Sequence, residues 1–308
     1  MQHTRPTRPS LSPLQYFNQL PDTFKGIVFA LISNALFIGV GAIVRTLSEH
    51  IDIFQILLFR QIIFIILLLP AMANNIDALL HPKMVPYHIL RVSGAFVALY
   101  LGFLTVSNIP LADATALGFL KVIFVAIVSR IFLSEAVSRF RVMSITIGFI
   151  GVIMVVQPTF SQASNFYILM GIIASIGAAV AVICVRKMAA VESKVVVLAY
   201  QAIFVGIISL VPSLMLWQWP TLDQLILLSL VGVISSVAQW FGVTAYKWGE
   251  ANVIANVEYS QMVYSVILGY WWFSELPNSL ALAGVAIILV SSVLPFLRAT
   301  RNITSNSD

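Results

Sequence analysis

Ten runs of roughly 20 mostly apolar residues follow one another along this chain, and that is the length a helix needs to cross a bilayer. They lie near 24–45, 53–72, 86–107, 111–133, 138–157, 165–187, 194–216, 221–246, 250–273 and 278–298. The connections are short, Asn108-Ile109-Pro110 among them, and leave no room for an extramembrane domain. Charge agrees with this reading. Only 9% of the 308 residues are charged, against about 25% in a soluble domain, so no polar shell is available to wrap a soluble core. The expected fold is an all-α integral membrane protein that uses lipid as its solvent.

The first 23 residues, MQHTRPTRPSLSPLQYFNQLPDT, are polar and proline-bearing and read as a tail. A cleaved signal peptide has an apolar core of about 7–15 residues. The run from Gly26 to Val44 is longer and more spans follow, so it reads as an uncleaved first helix. The one cysteine, Cys184, gives no disulfide framework. The net charge of +5 is modest, and no basic tract with interleaved aromatics occurs, so nucleic acid is not an expected partner.

Basic residues set the orientation. With the N-terminus inside, the cytoplasmic segments hold Arg5, Arg8, Lys25, Lys83, Arg91, Arg130, Arg139, Arg141, Arg186, Lys187, Lys194, Lys247, Arg298 and Arg301. Of the 17 Lys and Arg residues, only Arg45, Arg60 and Lys121 fall elsewhere. The outer connections SEHID, NIP, PTFSQASN and WQWPTLD hold none. Such an excess of Lys and Arg in short loops marks the cytoplasmic side. Both termini are expected in the cytoplasm, with an even number of spans.

The chain also repeats itself. Shifted by about 141 residues, LLFRQIIFIILLLP (57–70) falls on LAYQAIFVGIISLV (198–211), and Val44-Arg45 falls on Val185-Arg186. Shifted by about 140, Leu133-Ser134-Glu135 falls on Phe273-Ser274-Glu275. Each half therefore holds five spans, and an odd number means that the second half starts from the opposite side. Inverted repeats of this kind underlie many secondary transporters, which rock between two access states around a midplane site.

The stretch PLADATALGFLKVIFVAIVSRIFLSEAVSRFRVMSITIGFIGVIMVVQP (110–158) resembles the drug/metabolite transporter superfamily, in its ten-span form with two EamA-type repeats. The matching features are a fourth span, a short acidic turn and a glycine-bearing fifth span that ends in proline. The second copy, EANVIANVEYSQMVYSVILGYWWFSELPNSLALAGVAIILVSSVL (250–294), departs from it, with Glu258 and Gln261 in an otherwise apolar motif. The resemblance implies five-helix repeats over 24–158 and 165–298, with cytoplasmic tails 1–23 and 299–308. It also implies a bacterial inner membrane as the location. The lysine-bearing GFLK variant is similar to the branch that includes carriers of S-adenosylmethionine and other organic metabolites.

The residues that cost most in lipid point to the site. Lys121 lies ten residues into its span, about 15 Å deep in a hydrocarbon layer about 30 Å thick. A lysine there costs roughly 2.5–3.5 kcal/mol. It needs a partner or a water-filled cavity. Glu258 lies about 11 Å from the cytoplasmic side of span nine, and Arg60 about 11 Å from the outer side of span two. One reading pairs Lys121 with Glu258 as a lock between the halves. The other has Lys121 and Arg60 receive a carboxylate while Glu258 receives an ammonium, a sulfonium or a proton, which suits a zwitterion.

Other mid-span polar or aromatic residues extend the candidate lining: Asn34, Tyr100, Ser175, Gln201, Gln239, Trp240 and Tyr264. Glu258, Gln261 and Ser265 share one helical face at i, i+3 and i+7. Any of these also fits interhelical hydrogen bonding, and Gly94-x3-Ala98, Gly171-x3-Ser175 and Gly232-x3-Ser236 read as packing faces. Trp217, Trp219, Trp271 and Trp272 fit an interfacial aromatic belt.

The expected function is a secondary transporter that moves a small polar organic metabolite by alternating access: an amino acid, an amino-acid derivative such as S-adenosylmethionine, or a similar zwitterion. Protons are candidate coupling ions through Glu258, with facilitated diffusion or exchange equally open. An exporter of drugs or organic anions on the same fold is the alternative. A channel fits less well, because apolar walls separate the midplane charges. A lipid-modifying membrane enzyme is more distant: no HExxH or phosphate-binding glycine loop occurs, and His3, His50, His81 and His88 are scattered over the tail and connections. No cofactor or metal is expected. The expected partners are the solute and membrane lipid, and a homodimer is compatible with the pattern.

Overall fold

A computed structural model describes residues 20–108, 111–133, 138–157, 164–273 and 278–304. Its long helices are α1 (Asp22–Leu47), α2 (Ile53–Ala73), α3 (Val85–Asn108), α4 (Leu111–Phe132), α5 (Arg139–Val156), α6 (Asn165–Met188), α7 (Lys194–Met215), α8 (Leu222–Trp248), the pair α9a (Ala251–Val257) and α9b (Ser260–Phe273), and α10 (Ser279–Thr304). A short helix, Ile76–Leu80, lies between α2 and α3. Among the described residues there is no strand. Within them, six helices (α1, α2, α5, α6, α7 and α8) are long and apolar enough to cross a membrane. The protein is an all-α, multi-pass membrane protein. The repeated Ser-Glu turns at 134–135 and 274–275 lie outside the described residues, as do residues 1–19 of the expected N-terminal tail.

Local chemistry starts these helices where the apolar runs begin. The Asp52 carboxylate accepts from Phe54 N at 2.8 Å at the head of α2. Ser138 and Ser193 do the same for α5 and α7. Thr221 and Gln224 form a reciprocal capping box at α8. Each cap satisfies N–H groups that the first helical turn leaves open.

The packing has a hidden regularity. α3 lies along α6 as α8 lies along α1. α4 packs on α6 as the two pieces of α9 pack on α1, and α7 touches α3 as α2 touches α8. α2 pairs with α7, α4 with α9a and α5 with α10. Advancing every helix number by five maps this set onto itself. The two halves are thus interlocked around a pseudo-twofold axis and share one core.

Two crossings are tight enough to require glycine. A Cβ built on Gly94 of α3 would stand 2.8 Å from the Gly177 carbonyl oxygen of α6, and one on Gly177 would stand 2.8 Å from that of Gly94. At the α5–α10 crossing, a Cβ on Gly284 would stand 2.7 Å from the Gly151 carbonyl oxygen. Small residues let membrane helices approach this closely.

The start of α3 overturns two expectations. His88 is not in a connection: it is 2% exposed, its ring tilted against that of Tyr200, with Nε2 3.5 Å from a Glu192 carboxylate oxygen. Arg91 is not a cytoplasmic surface cation. It is 2% exposed and donates to the Val197 carbonyl oxygen and to Gln201 Oε1 of α7. Six residues past the start of α3, it bonds inward to acceptors on α7. Glu192 also accepts from Lys83 N at 2.7 Å and Met84 N at 2.8 Å, tying the head of α3 to the α6–α7 turn. Glu192→Ala is expected to cost about 1–2 kcal/mol, because both N–H groups lose their acceptor. A lowered Tm of the purified protein would show it, and an unchanged Tm would mean that water replaces the carboxylate.

Candidate functional site

A cavity of about 450 Å³ lies between the two repeats. Apolar side chains such as Ile56, Leu57, Val182 and Val231 form much of its wall. Ser33, Asn34, Arg60, Arg91, Lys121, Gln201, Gln239, Tyr246, Glu258 and Gln261 supply its polar groups. They come from α1, α2, α3, α4, α7, α8 and the α9a–α9b junction. A smaller chamber of about 260 Å³, lined by Gly102, Thr105, Gly118, Gly171 and Ser175, shares Lys121 with the first.

The junction at Glu258 and Tyr259 interrupts a span that the sequence reads as one continuous helix. Here the backbone bonds become i to i−3: Gln261 N donates to Glu258 O at 3.0 Å and Met262 N to Tyr259 O at 3.0 Å. The Val257 carbonyl is left without the usual partner four residues on. Asn34 of α1 supplies one, donating from Nδ2 to Val257 O at 3.2 Å and to Ser260 Oγ at 3.2 Å. Gln261 Nε2 in turn donates to Asn34 Oδ1 at 3.0 Å. Broken helices are tolerated at membrane depth where neighbours satisfy the freed backbone or where they line a cavity. Tyr259, fully buried, fits a slot over Gly148, whose Cβ would stand 2.6 Å from the ring. Asn256 anchors α9a to α5 and α10 through Ser144 Oγ and the Ser291 carbonyl.

Asn34→Ala leaves the Val257 carbonyl without its side-chain donor in a buried setting. The expected loss is about 1–3 kcal/mol. Thermal unfolding checks it. A Tm at the wild-type value would mean that the break does not depend on α1.

At this break the Glu258 carboxylate pairs with the Lys121 ammonium of α4, and its other oxygen accepts from Tyr246 Oη of α8 at 2.6 Å. The ion pair joins repeat one to repeat two. It lies on the cavity wall, the Lys121 side chain 24% exposed and that of Glu258 11%.

A second polar network faces the same space. Arg60 donates from Nε to Ser235 Oγ at 3.0 Å and from its terminal nitrogen to Gln239 Oε1 at 3.4 Å. Gln239 Nε2 donates to Gln201 Oε1 at 3.3 Å, and Arg91 donates to that same oxygen. Two guanidinium groups are thus bridged by two amides. Among the described residues, no carboxylate forms an ion pair with either guanidinium.

Of the residues singled out in the sequence, Asn34, Arg60, Lys121, Gln201, Gln239, Glu258 and Gln261 line this cavity. Ser175 lines the smaller chamber and donates to the Leu117 carbonyl at 2.6 Å. Tyr100, Trp240 and Tyr264 are absent from both linings. Tyr100 is 41% exposed and stacks on Phe96 and Phe54, one helical step of about 100° past the cavity-lining Leu99. Trp240 is turned by the same step from Gln239 and takes the Lys194 ammonium over its ring at 3.6 Å. Tyr264 lies on α9b three residues past the cavity-lining Gln261, and it is not on the face of Glu258, Gln261 and Ser265 read from the sequence. The side chain of Ser265 lies outside the described residues. Sequence reasoning missed Arg91 and Tyr246 as cavity residues, because both lie near span ends where polar groups look unremarkable. The nearest signal for the break was the density of polar residues in ANVIANVEYSQ, at positions 251–261.

Comparison with known proteins agrees with this arrangement. A family model for the EamA-like transporter family matches residues 24–157 and again 165–297. The chain is 28% identical over 274 residues to a pseudopaline exporter of Pseudomonas aeruginosa, covering 87% of this chain and 94% of that protein. It is 28% identical over 268 residues to an S-adenosylmethionine uptake transporter of Rickettsia conorii, covering 87% and 91%. A solved crystal structure superposes with a TM-score of 0.76 at 17% identity, covering 91% of this chain and 98% of the other, a likeness of fold.

Proposed function

The chain belongs to the EamA-like transporter family, and on that premise we propose that it is a secondary transporter of a small polar organic metabolite, cycling by alternating access around the central cavity. It is a membrane transporter and not an enzyme. The observation that carries the finer reading is the Lys121–Glu258 pair at the broken helix, on the wall of a cavity between two interlocked repeats. A zwitterion can open such a pair at little electrostatic cost. Its carboxylate replaces Glu258 beside Lys121, its ammonium or sulfonium replaces Lys121 beside Glu258, and no charge is left alone in lipid. Asn34, Gln261 and Tyr246 offer hydrogen bonds that orient such a head group. Apolar side chains form much of the cavity wall around this layer, and a site between inverted repeats is where transporters of this architecture hold their cargo.

We place both termini in the cytoplasm on the asymmetry of the basic residues, and the protein in a bacterial inner membrane on its likeness to bacterial transporters. One relative is named for export and another for uptake, so direction here is set by gradient and coupling. Proton movement through Glu258 is one coupling that the geometry allows.

The test is exchange in proteoliposomes. Vesicles loaded with a single solute are challenged with the same labelled solute, across amino acids, S-adenosylmethionine and organic acids. Saturable uptake that is accelerated by solute on the far side supports alternating access. Flux that never saturates would mark a channel, and no exchange with any of these classes would remove the substrate reading.

A further inference from the structure

The cavity carries an imbalance that the Lys121–Glu258 pair does not use. Among the described residues its cationic side chains are Arg60, Arg91 and Lys121, and its one carboxylate, Glu258, is already paired with Lys121. Arg60 and Arg91 are linked through Gln239 and Gln201, and among the described residues their partners are neutral: Ser235, the two amides and the Val197 carbonyl. Two cations in one low-dielectric space, without an acid between them, repel each other and are poorly solvated. Natural membrane proteins pair such charges or give them a water-filled space and an ionic ligand. Guanidinium groups bind carboxylates through two parallel hydrogen bonds, so each can engage one carboxylate while keeping a bond to its amide.

We propose that Arg60 and Arg91 form a two-carboxylate site, so that the cargo carries two anionic carboxylates beyond whatever group engages the Lys121–Glu258 pair. This deepens the transport reading above and rests on it for the identity of the cavity. Two amides separate the guanidiniums, which sets their spacing at on the order of 10 Å from ordinary hydrogen-bond lengths. A short diacid with three or four bonds between its carboxyl carbons reaches both. The repeat explains how the site arose on one side only: Arg60 of α2 aligns with Gln201 of α7, so one half supplies the cation and its counterpart supplies the amide. Arg91 then comes from α3 to the same amide.

The probes are glutarate, its mono-amide glutaramate and the neutral diamide glutaramide, with sodium chloride at matched ionic strength. Binding to the full chain in detergent is read as a concentration-dependent rise in Tm. Glutarate should stabilise the wild type, glutaramate should bind at least about tenfold more weakly, and glutaramide should have no effect. Arg91→Gln risks unfolding, so the informative variants are Gln201→Glu and Gln239→Glu. Each places an internal carboxylate against a guanidinium, should keep or raise the Tm without ligand, and should weaken glutarate at least about tenfold. Equal stabilisation by chloride, equal affinity for glutarate and glutaramate, or undiminished glutarate binding in both Gln→Glu variants would each overturn the proposal. Glutarate binding without solute exchange in vesicles would support this site while removing the transport cycle. Exchange that neither glutarate nor Gln201→Glu affects would keep the cycle and overturn this site.

Discussion

Lys121→Met is expected to abolish solute exchange in proteoliposomes and to lower stability at the same time. The substitution keeps the length and volume of the side chain but removes the ammonium that neutralises Glu258. Glu258 is then a carboxylate at membrane depth, 9% exposed, held only by the Tyr246 hydroxyl. Breaking one side of a buried pair costs about 3–5 kcal/mol, and cavity water brings the expected value to the lower end. The same energy removed from cargo binding is a loss of about a hundredfold. Glu258→Gln should cost less, because Lys121 is better exposed to the cavity. The double variant Lys121→Met/Glu258→Gln should recover most of the lost stability, with a coupling of about 2 kcal/mol in a double-mutant cycle, yet remain inactive. Recovered stability together with recovered exchange would make the pair a structural lock and nothing more.

Gly177→Leu is expected to remove most of the folded protein. The new Cβ would meet the Gly94 carbonyl oxygen at 2.8 Å and Ala98 N at 3.2 Å. Both are backbone atoms of α3, so no rotamer change relieves the contact and α3 and α6 must move apart. Overpacking an ordinary core site costs about 1–3 kcal/mol, and a clash with rigid backbone belongs at or above the top of that range. Fluorescence-detected size exclusion would show the loss of the monodisperse peak. Gly39→Ala is the control. Nothing lies within 4 Å of its added Cβ, and alanine should raise stability by about 0.5–1 kcal/mol through helix propensity. A Gly177→Leu protein with wild-type Tm would show that the crossing is wider than described.

The helical, membrane-spanning character was legible because hydrophobic length alone carries it, and six of the described helices are long and apolar enough to cross a membrane. The Lys121–Glu258 contact was legible because two opposite charges at similar depth in lipid have few alternatives to each other. The break in α9 was not. No proline or glycine marks it, and the side chain that satisfies the freed Val257 carbonyl, Asn34, lies more than two hundred residues away in sequence. Arg91 was misread for a related reason. Its place near the start of its span groups it with the residues counted toward the cytoplasmic side, whereas the acceptors that hold it belong to α7. Tyr100, Trp240 and Tyr264 were projected onto the cavity from depth alone, and depth does not give the azimuth of a side chain around its helix.

The break has a further consequence on the alternating-access reading. Two identical halves would exchange roles on every transit, and the inward-open and outward-open forms would be equal in free energy. Here α4 runs unbroken past Gly118 while its counterpart is severed at Glu258 and Tyr259. The two forms then differ in energy, and each 1.4 kcal/mol of difference is a tenfold bias in population. On that reading, an empty protein that cycles this way is expected to rest with its mouth toward one particular side of the membrane, a posture written into one helix and present before any gradient is applied.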